Sequence, residues 1–206
     1  MKRVLGLILV GLVSCGDAQI PLQPKGDVPL VIEPPQERPL RRMDLDQLAD
    51  SIEVVTGGVR WVAVEGGRDV DLFERYSKTL GKPDYADTNN EDLEASVLFQ
   101  KFLNDAAHDV CTDLMARELN APSDERVFFV YAEPEATPVS EPEAVANNLS
   151  MLLLRYHGKQ ISVDDARLEP WTWLMSSVLH VTEDDALQAW GSVCVALIVH
   201  PDFYSY

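Results

Sequence analysis

From residue 41 onward, apolar side chains recur at three-to-four spacing in stretch after stretch, and glycine or proline closes most of the stretches. This rhythm constrains the fold most, because a period near 3.6 gathers such residues on one face of a helix. Leu45, Leu48, Ile52 and Val55 define a first helix, stopped by Gly57-Gly58. Leu72, Phe73, Tyr76 and Leu80 define a second over 69–80, stopped by Gly81 and Pro83. Asn89-Asn90 followed by Glu91 and Asp92 reads as an N-cap with first-turn acids, which suit the positive end of the helix dipole. The helix it opens runs to about Leu119 with Leu93, Val97, Phe102, Ala106, Val110, Leu114 and Met115 as its stripe, and Pro122 ends it. Its length makes it the expected central helix.

Three more helices follow. Ser140 and Glu143 have capping-box spacing around Pro142, ahead of Leu149, Leu152, Leu153 and Tyr156, with Gly158 as the stop. Residues 168–179 form the next, with Pro170 in the first turn. Thr182-Glu183-Asp184-Asp185 caps the last, which carries Ala186, Trp190, Cys194 and Leu197 and reaches His200 before Pro201. Residues 59–64 read as a strand or a packed loop, and so do residues 127–131. Residues 132–142, with three prolines and several acids, read as an exposed connector. The aromatic end (Phe203, Tyr204, Tyr206) should pack back, since an exposed aromatic tail would be adhesive. The expectation is an all-α domain over 41–206, about six helices in one irregular bundle, with room for one or two short strands.

The N-terminal segment has a different logic. Lys2 and Arg3 precede ten apolar residues, 4–13, too few to span a bilayer core, which needs about 20 as helix. The pattern fits a secretory signal. Its end, Leu12-Val13-Ser14-Cys15, resembles a bacterial lipobox. That resemblance implies a signal peptide over 1–14, diacylglycerol on the Cys15 sulfur and an acylated (for example palmitoylated) amine. Two or more chains hold a protein stably at a bilayer. Residue 16 is Gly rather than Asp, which by the same resemblance implies the outer membrane, facing periplasm or cell surface. The alternative is an ordinary cleaved signal with Cys15 incidental. Residues 15–40 then form a tether, with Pro21, Pro24, Pro29, Pro34, Pro35 and Pro39 keeping it extended. Leu30, Val31 and Ile32 are its one short strand candidate.

Charge and cysteine count narrow the partners. The net charge is −17, from 17 basic and 34 acidic residues; loss of Lys2 and Arg3 leaves 15 against 34, or −19. Such a surface repels nucleic acid, and no basic patch for a phosphate backbone is visible. With Cys15 lipidated, Cys111 and Cys194 remain. An exported compartment permits one bridge between them; the alternative is two separately buried thiols.

No catalytic motif stands out. His108 and Cys111, at i and i+3 with Asp105 and Asp109 nearby, are weak metal candidates, and a core thiol beside a surface histidine is the simpler reading. No Gly-x-Ser-x-Gly turn exists, and Gly191-Ser192 falls mid-helix. Gly57-Gly58 and Gly66-Gly67 lack the lysine of a phosphate loop, and Asp164-Asp165 and Asp184-Asp185 read as helix starts. His157 and His200 sit at helix C-termini, where a cation complements the dipole. Cys-x-x-Cys-His is absent, so covalent haem attachment is excluded, and no cofactor is expected.

Three stretches together resemble one family. They are Arg41-Arg42-Met43 with Gln47 and Ile52; Asn147-Asn148-Leu149 through Leu154-Arg155-Tyr156-His157-Gly158; and Trp190 through Cys194, Ala196-Leu197 and His200-Pro201-Asp202-Phe203-Tyr204. They look like the helical domains of unknown function that accompany cytochrome c modules in planctomycete- and myxobacterial-type proteins. The resemblance implies a secreted helical accessory domain and carries over no redox activity. The expected function is thus a membrane-anchored, non-enzymatic domain that binds a partner protein. The alternatives are a metal-binding or redox-enzyme accessory subunit using His108 and Cys111, and surface glycan binding through Trp171 or Trp173.

Overall fold

A computed structural model of the chain describes residues 41–82 and 91–206. The expected signal segment, Cys15, the expected tether with its strand candidate, and the expected Asn89-Asn90 cap lie outside the described residues.

Helix α1, Leu45–Val55, begins with a capping box: the Asp44 carboxylate accepts from the Gln47 amide at 2.8 Å, and the Gln47 side chain accepts from the Asp44 amide. Its expected stripe of Leu45, Leu48, Ile52 and Val55 is buried. A β-hairpin follows. Strands β1, Val62–Glu65, and β2, Arg68–Asp71, pair antiparallel from Val62↔Asp71 to Glu65↔Arg68. Gly66 and Gly67 form the two-residue turn, at φ 58° and 77°, the left-handed conformation that a type I′ hairpin requires at both central positions. The segment expected as a helix over 69–80 is therefore divided. Its first residues complete β2, and α2 spans only Leu72–Tyr76, capped by the Asp71 side chain.

Helix α3, Val97–Asn120, is shorter than expected at its start. The Ser96 hydroxyl accepts from the Phe99 amide and sets the N-terminus there. Leu93 lies before the helix, and its carbonyl accepts from the Arg42 amide at 3.1 Å. Val97, placed in the stripe by spacing, is 88% exposed; Phe99 occupies the buried position instead.

After α3 the backbone of residues 127–131 is an irregular loop that buries Phe128 and Phe129. Buried polar side chains hold it. The Glu118 carboxylate accepts from the amides of Val127, Phe128 and Phe129 at 3.0–3.2 Å. The Asn148 side chain accepts from Val130 and Tyr131 and donates to the Phe128 carbonyl, each at 3.0 Å. These bonds replace a sheet, since buried backbone groups must find partners. The connector that follows is not exposed as expected: Ala132, Pro134 and Ala136 are buried, and the Trp190 indole donates to the Ala136 carbonyl at 3.0 Å.

Helix α4, Pro142–His157, starts without the expected capping box. The Ser140 hydroxyl accepts from the Thr137 amide, so it serves the turn before the helix. Gly158, at φ 64°, ends α4 as a left-handed cap. A 3-10 turn, Ala166–Leu168, leads into α5, Glu169–Val181. Asp185 caps α6, Ala186–Val199, and Pro201 opens a further short helix, α7, Pro201–Tyr204.

The hub is α6 rather than α3. It packs on α3, α4, α5 and α7 and buries Ala189, Trp190, Val193, Cys194, Leu197 and Ile198. A helix apolar on more than one face belongs at the centre. Among the described residues the fold is thus mostly helical with one small two-stranded sheet, the class the periodicity implies. The tail packs back as expected through Phe203 and Tyr204, and Ser205 bridges to Arg42, while Tyr206 stays exposed. Among the described residues no helix is long and apolar enough to cross a membrane.

Candidate functional site

Cys111 on α3 and Cys194 on α6 are joined as a disulfide, with Cα atoms 5.9 Å apart, and the two stand 83 positions apart in sequence. Both are buried. The alternative of two separate thiols is set aside, and so is the metal site at His108 and Cys111, because a disulfide sulfur offers no thiolate. His108 is exposed on α3, and Asp105 is paired with Lys101. Asp109 accepts from the Trp61 indole at 2.8 Å, which anchors the hairpin's first flank to α3.

Ser192 is also structural: its hydroxyl donates to the Gln188 carbonyl one turn earlier. The acidic pairs act as helix starts, with Asp165 capping the 3-10 turn and Asp185 capping α6. The Asp165 carboxyl is held low, to about 2, by its contacts with Arg167.

The groups that do converge are at the ends of α4, α6 and α7. His157 is the last residue of α4, and its Nε2 lies 2.9 Å from the Leu197 carbonyl. A carbonyl only accepts, so Nε2 carries the proton and Nδ1 keeps its lone pair. That carbonyl is in the last turn of α6, where helix carbonyls lack intrahelical partners. His200 joins α6 to α7, and its Nδ1 accepts from the Asp202 amide at 3.1 Å. The two imidazole rings lie 4.9 Å apart at 30°, and Trp171 on α5 packs 5.7 Å from one and 6.1 Å from the other. The Asp202 carboxylate is 3.3 Å from His200 Nδ1 and is paired with Lys159. Burial holds His157 below the usual histidine range, opposed by its carbonyl bond and aided by the neighbouring His200. The Lys159 contact holds Asp202 below the usual carboxylate range.

These groups border a cavity of about 420 Å³ whose other walls include Leu153, Ile161, Pro170 and Leu174. Its lining is mainly apolar with a few convergent polar groups, the composition of a ligand site. Sequence reasoning placed His157 and His200 at helix ends but did not bring them together. They come from different helices, and the single local signal was His200 beside Asp202.

The two α5 tryptophans separate. Trp171 is half-buried against the histidines, whereas Trp173 is 71% exposed and lines a shallow depression with Val163. Comparison with protein-family models, curated proteins and solved structures returned no match.

Proposed function

We propose that the chain is an exported bacterial lipoprotein, held at the outer membrane through Cys15, whose helical domain is a non-enzymatic module that binds a partner protein. The observation that carries the reading is the Cys111–Cys194 disulfide at the centre of the domain. Such bonds persist in oxidising compartments and are rare in the cytosol, which agrees with a signal segment ending in a lipobox-like Leu-Val-Ser-Cys. Trp173 supports the partner-binding half. Its exposed indole stands beside Val163, and aromatic side chains of this kind are enriched at protein interfaces. The family resemblance, an accessory domain working beside a larger enzyme, agrees with it.

Mild crosslinking of native membranes followed by co-purification tests the proposal. The expected result is repeated recovery of the same protein partner, lost on Trp173→Ala. Recovery of the chain alone in the soluble fraction would count against both halves. A second reading, glycan binding at Trp173, is separated by a glycan array, on which the account expects no retained ligand.

A further inference from the structure

We propose that His157, His200 and Asp202 form a binding site for a single divalent transition-metal ion of borderline character, with zinc the fitting case. One ligand atom from each of the three lies within 4.8 Å of the others. Zinc takes nitrogen and oxygen ligands at about 2.0–2.2 Å, which sets tetrahedral ligand atoms about 3.4 Å apart. Closure therefore asks for about an ångström of side-chain movement. His200 is partly exposed and Asp202 exposed, so both have room to make it.

Three features favour an ion here over a chance cluster. First, His157 donates Nε2–H to the Leu197 carbonyl and keeps its Nδ1 lone pair. An imidazole anchored through one nitrogen by a backbone carbonyl is the usual state of a metal-ligating histidine. Second, the set is two imidazoles and one carboxylate, a donor mixture that suits zinc and its neighbours rather than calcium or magnesium. Third, the site borders the cavity walled by Trp171 and Leu174, which leaves a fourth position open to water or to a ligand atom of a partner.

Lys159 gives the site a built-in competitor. Its ammonium is paired with the same Asp202 carboxylate that the ion needs. Metal binding must separate or rearrange that pair. The ion would join the end of α4 to the α6–α7 junction, two elements that meet at this point through the His157–Leu197 bond.

Titration of the untagged full-length chain with Zn²⁺, and with Co²⁺ as a spectroscopic probe, tests the site. The expected result is one ion per chain, with the visible absorption of four-coordinate cobalt. His157→Gln and His200→Gln should each weaken binding tenfold or more, and Gln at 157 retains a donor for the Leu197 carbonyl. Asp202→Asn, at an exposed position, should also weaken it about tenfold. Lys159→Met should tighten binding about twofold to fivefold, the value of an exposed ion pair. Absence of stoichiometric binding would overturn the proposal. So would binding that none of the three ligand substitutions weakens, or that Lys159→Met weakens.

Discussion

Cys111 and Cys194 bind the longest helix to the central one, covalently joining positions 83 residues apart in sequence. In the chain-entropy account, a loop of that length stabilises the fold by about 4.5 kcal/mol, and loss of a native bridge commonly costs about 2–5 kcal/mol. Reduction, or replacement of both cysteines by alanine, should lower the unfolding free energy within that range. Chemical denaturation with and without reductant measures it. Unchanged midpoints would mean that packing around α6 holds the helices without the bridge.

Glu118 is a buried carboxylate whose partners are backbone amides at 127–129. Glu118→Ala leaves three buried or half-buried donors without an acceptor, at about 1–3 kcal/mol each. A loss of about 3 kcal/mol or more is expected, with increased amide exchange at Phe128 and Phe129. Glu118→Gln should cost less, because its carbonyl oxygen still accepts while its amino group faces donors.

Tyr156 makes the opposite case. Its hydroxyl is buried and has no hydrogen-bond partner among the described residues, and burial pushes its pKa well above 10. In the unfolded chain the phenol ionises near pH 10. The folded state holds its proton more tightly, so this contribution is intact below pH 10 and falls away as pH rises above it. Tyr156→Phe should leave stability at pH 7 unchanged or raise it by up to about 1 kcal/mol. It should also flatten the alkaline loss of stability, as urea titrations at pH 8 and pH 10.5 would show.

Arg42 is buried at 1% exposure and donates to the Leu80 carbonyl at 2.8 Å, to Glu91 and the Met43 carbonyl at 2.9 Å, and to the Asp92 carbonyl. Its guanidinium also lies over the Phe99 ring, 4.6 Å from the centroid. Removing one partner of such a network costs about 3–5 kcal/mol. Arg42→Met should lose that amount, and Arg42→Lys should recover only part of it, since an ammonium cannot span a fork of carbonyls. Thermal unfolding of the two variants checks the order.

What the sequence revealed followed from local rules. The stripes of α1 and α4 and the stop at Gly158 were legible because period and cap sit within one segment. The hairpin was missed although Gly66-Gly67 between residues 62–65 and 68–71 marks a type I′ turn, because the apolar residues after Asp71 carried the helical reading back across it. The α3 start differs because the expected cap at Asn89-Asn90 with its acids carried the helix too far back, whereas Ser96 is the cap that opens it. Non-local choices were out of reach. Neither the grip of Glu118 and Asn148 on residues 127–131 nor the meeting of His157 with His200 has a sequence spacing that betrays it. The disulfide was half legible: with Cys15 expected to carry lipid, two cysteines allow one pairing, but two separately buried thiols fit the same sequence, and the meeting of α3 with α6 decides between them.

Anchoring at Cys15 is the centre of the functional account. Intact-mass and peptide mass spectrometry of the chain recovered from bacterial membranes tests it most directly. The account predicts a mature chain that begins at Cys15 and carries diacylglycerol on its sulfur and an acyl chain on its amine. An unmodified Cys15, or cleavage at any other position, would contradict it.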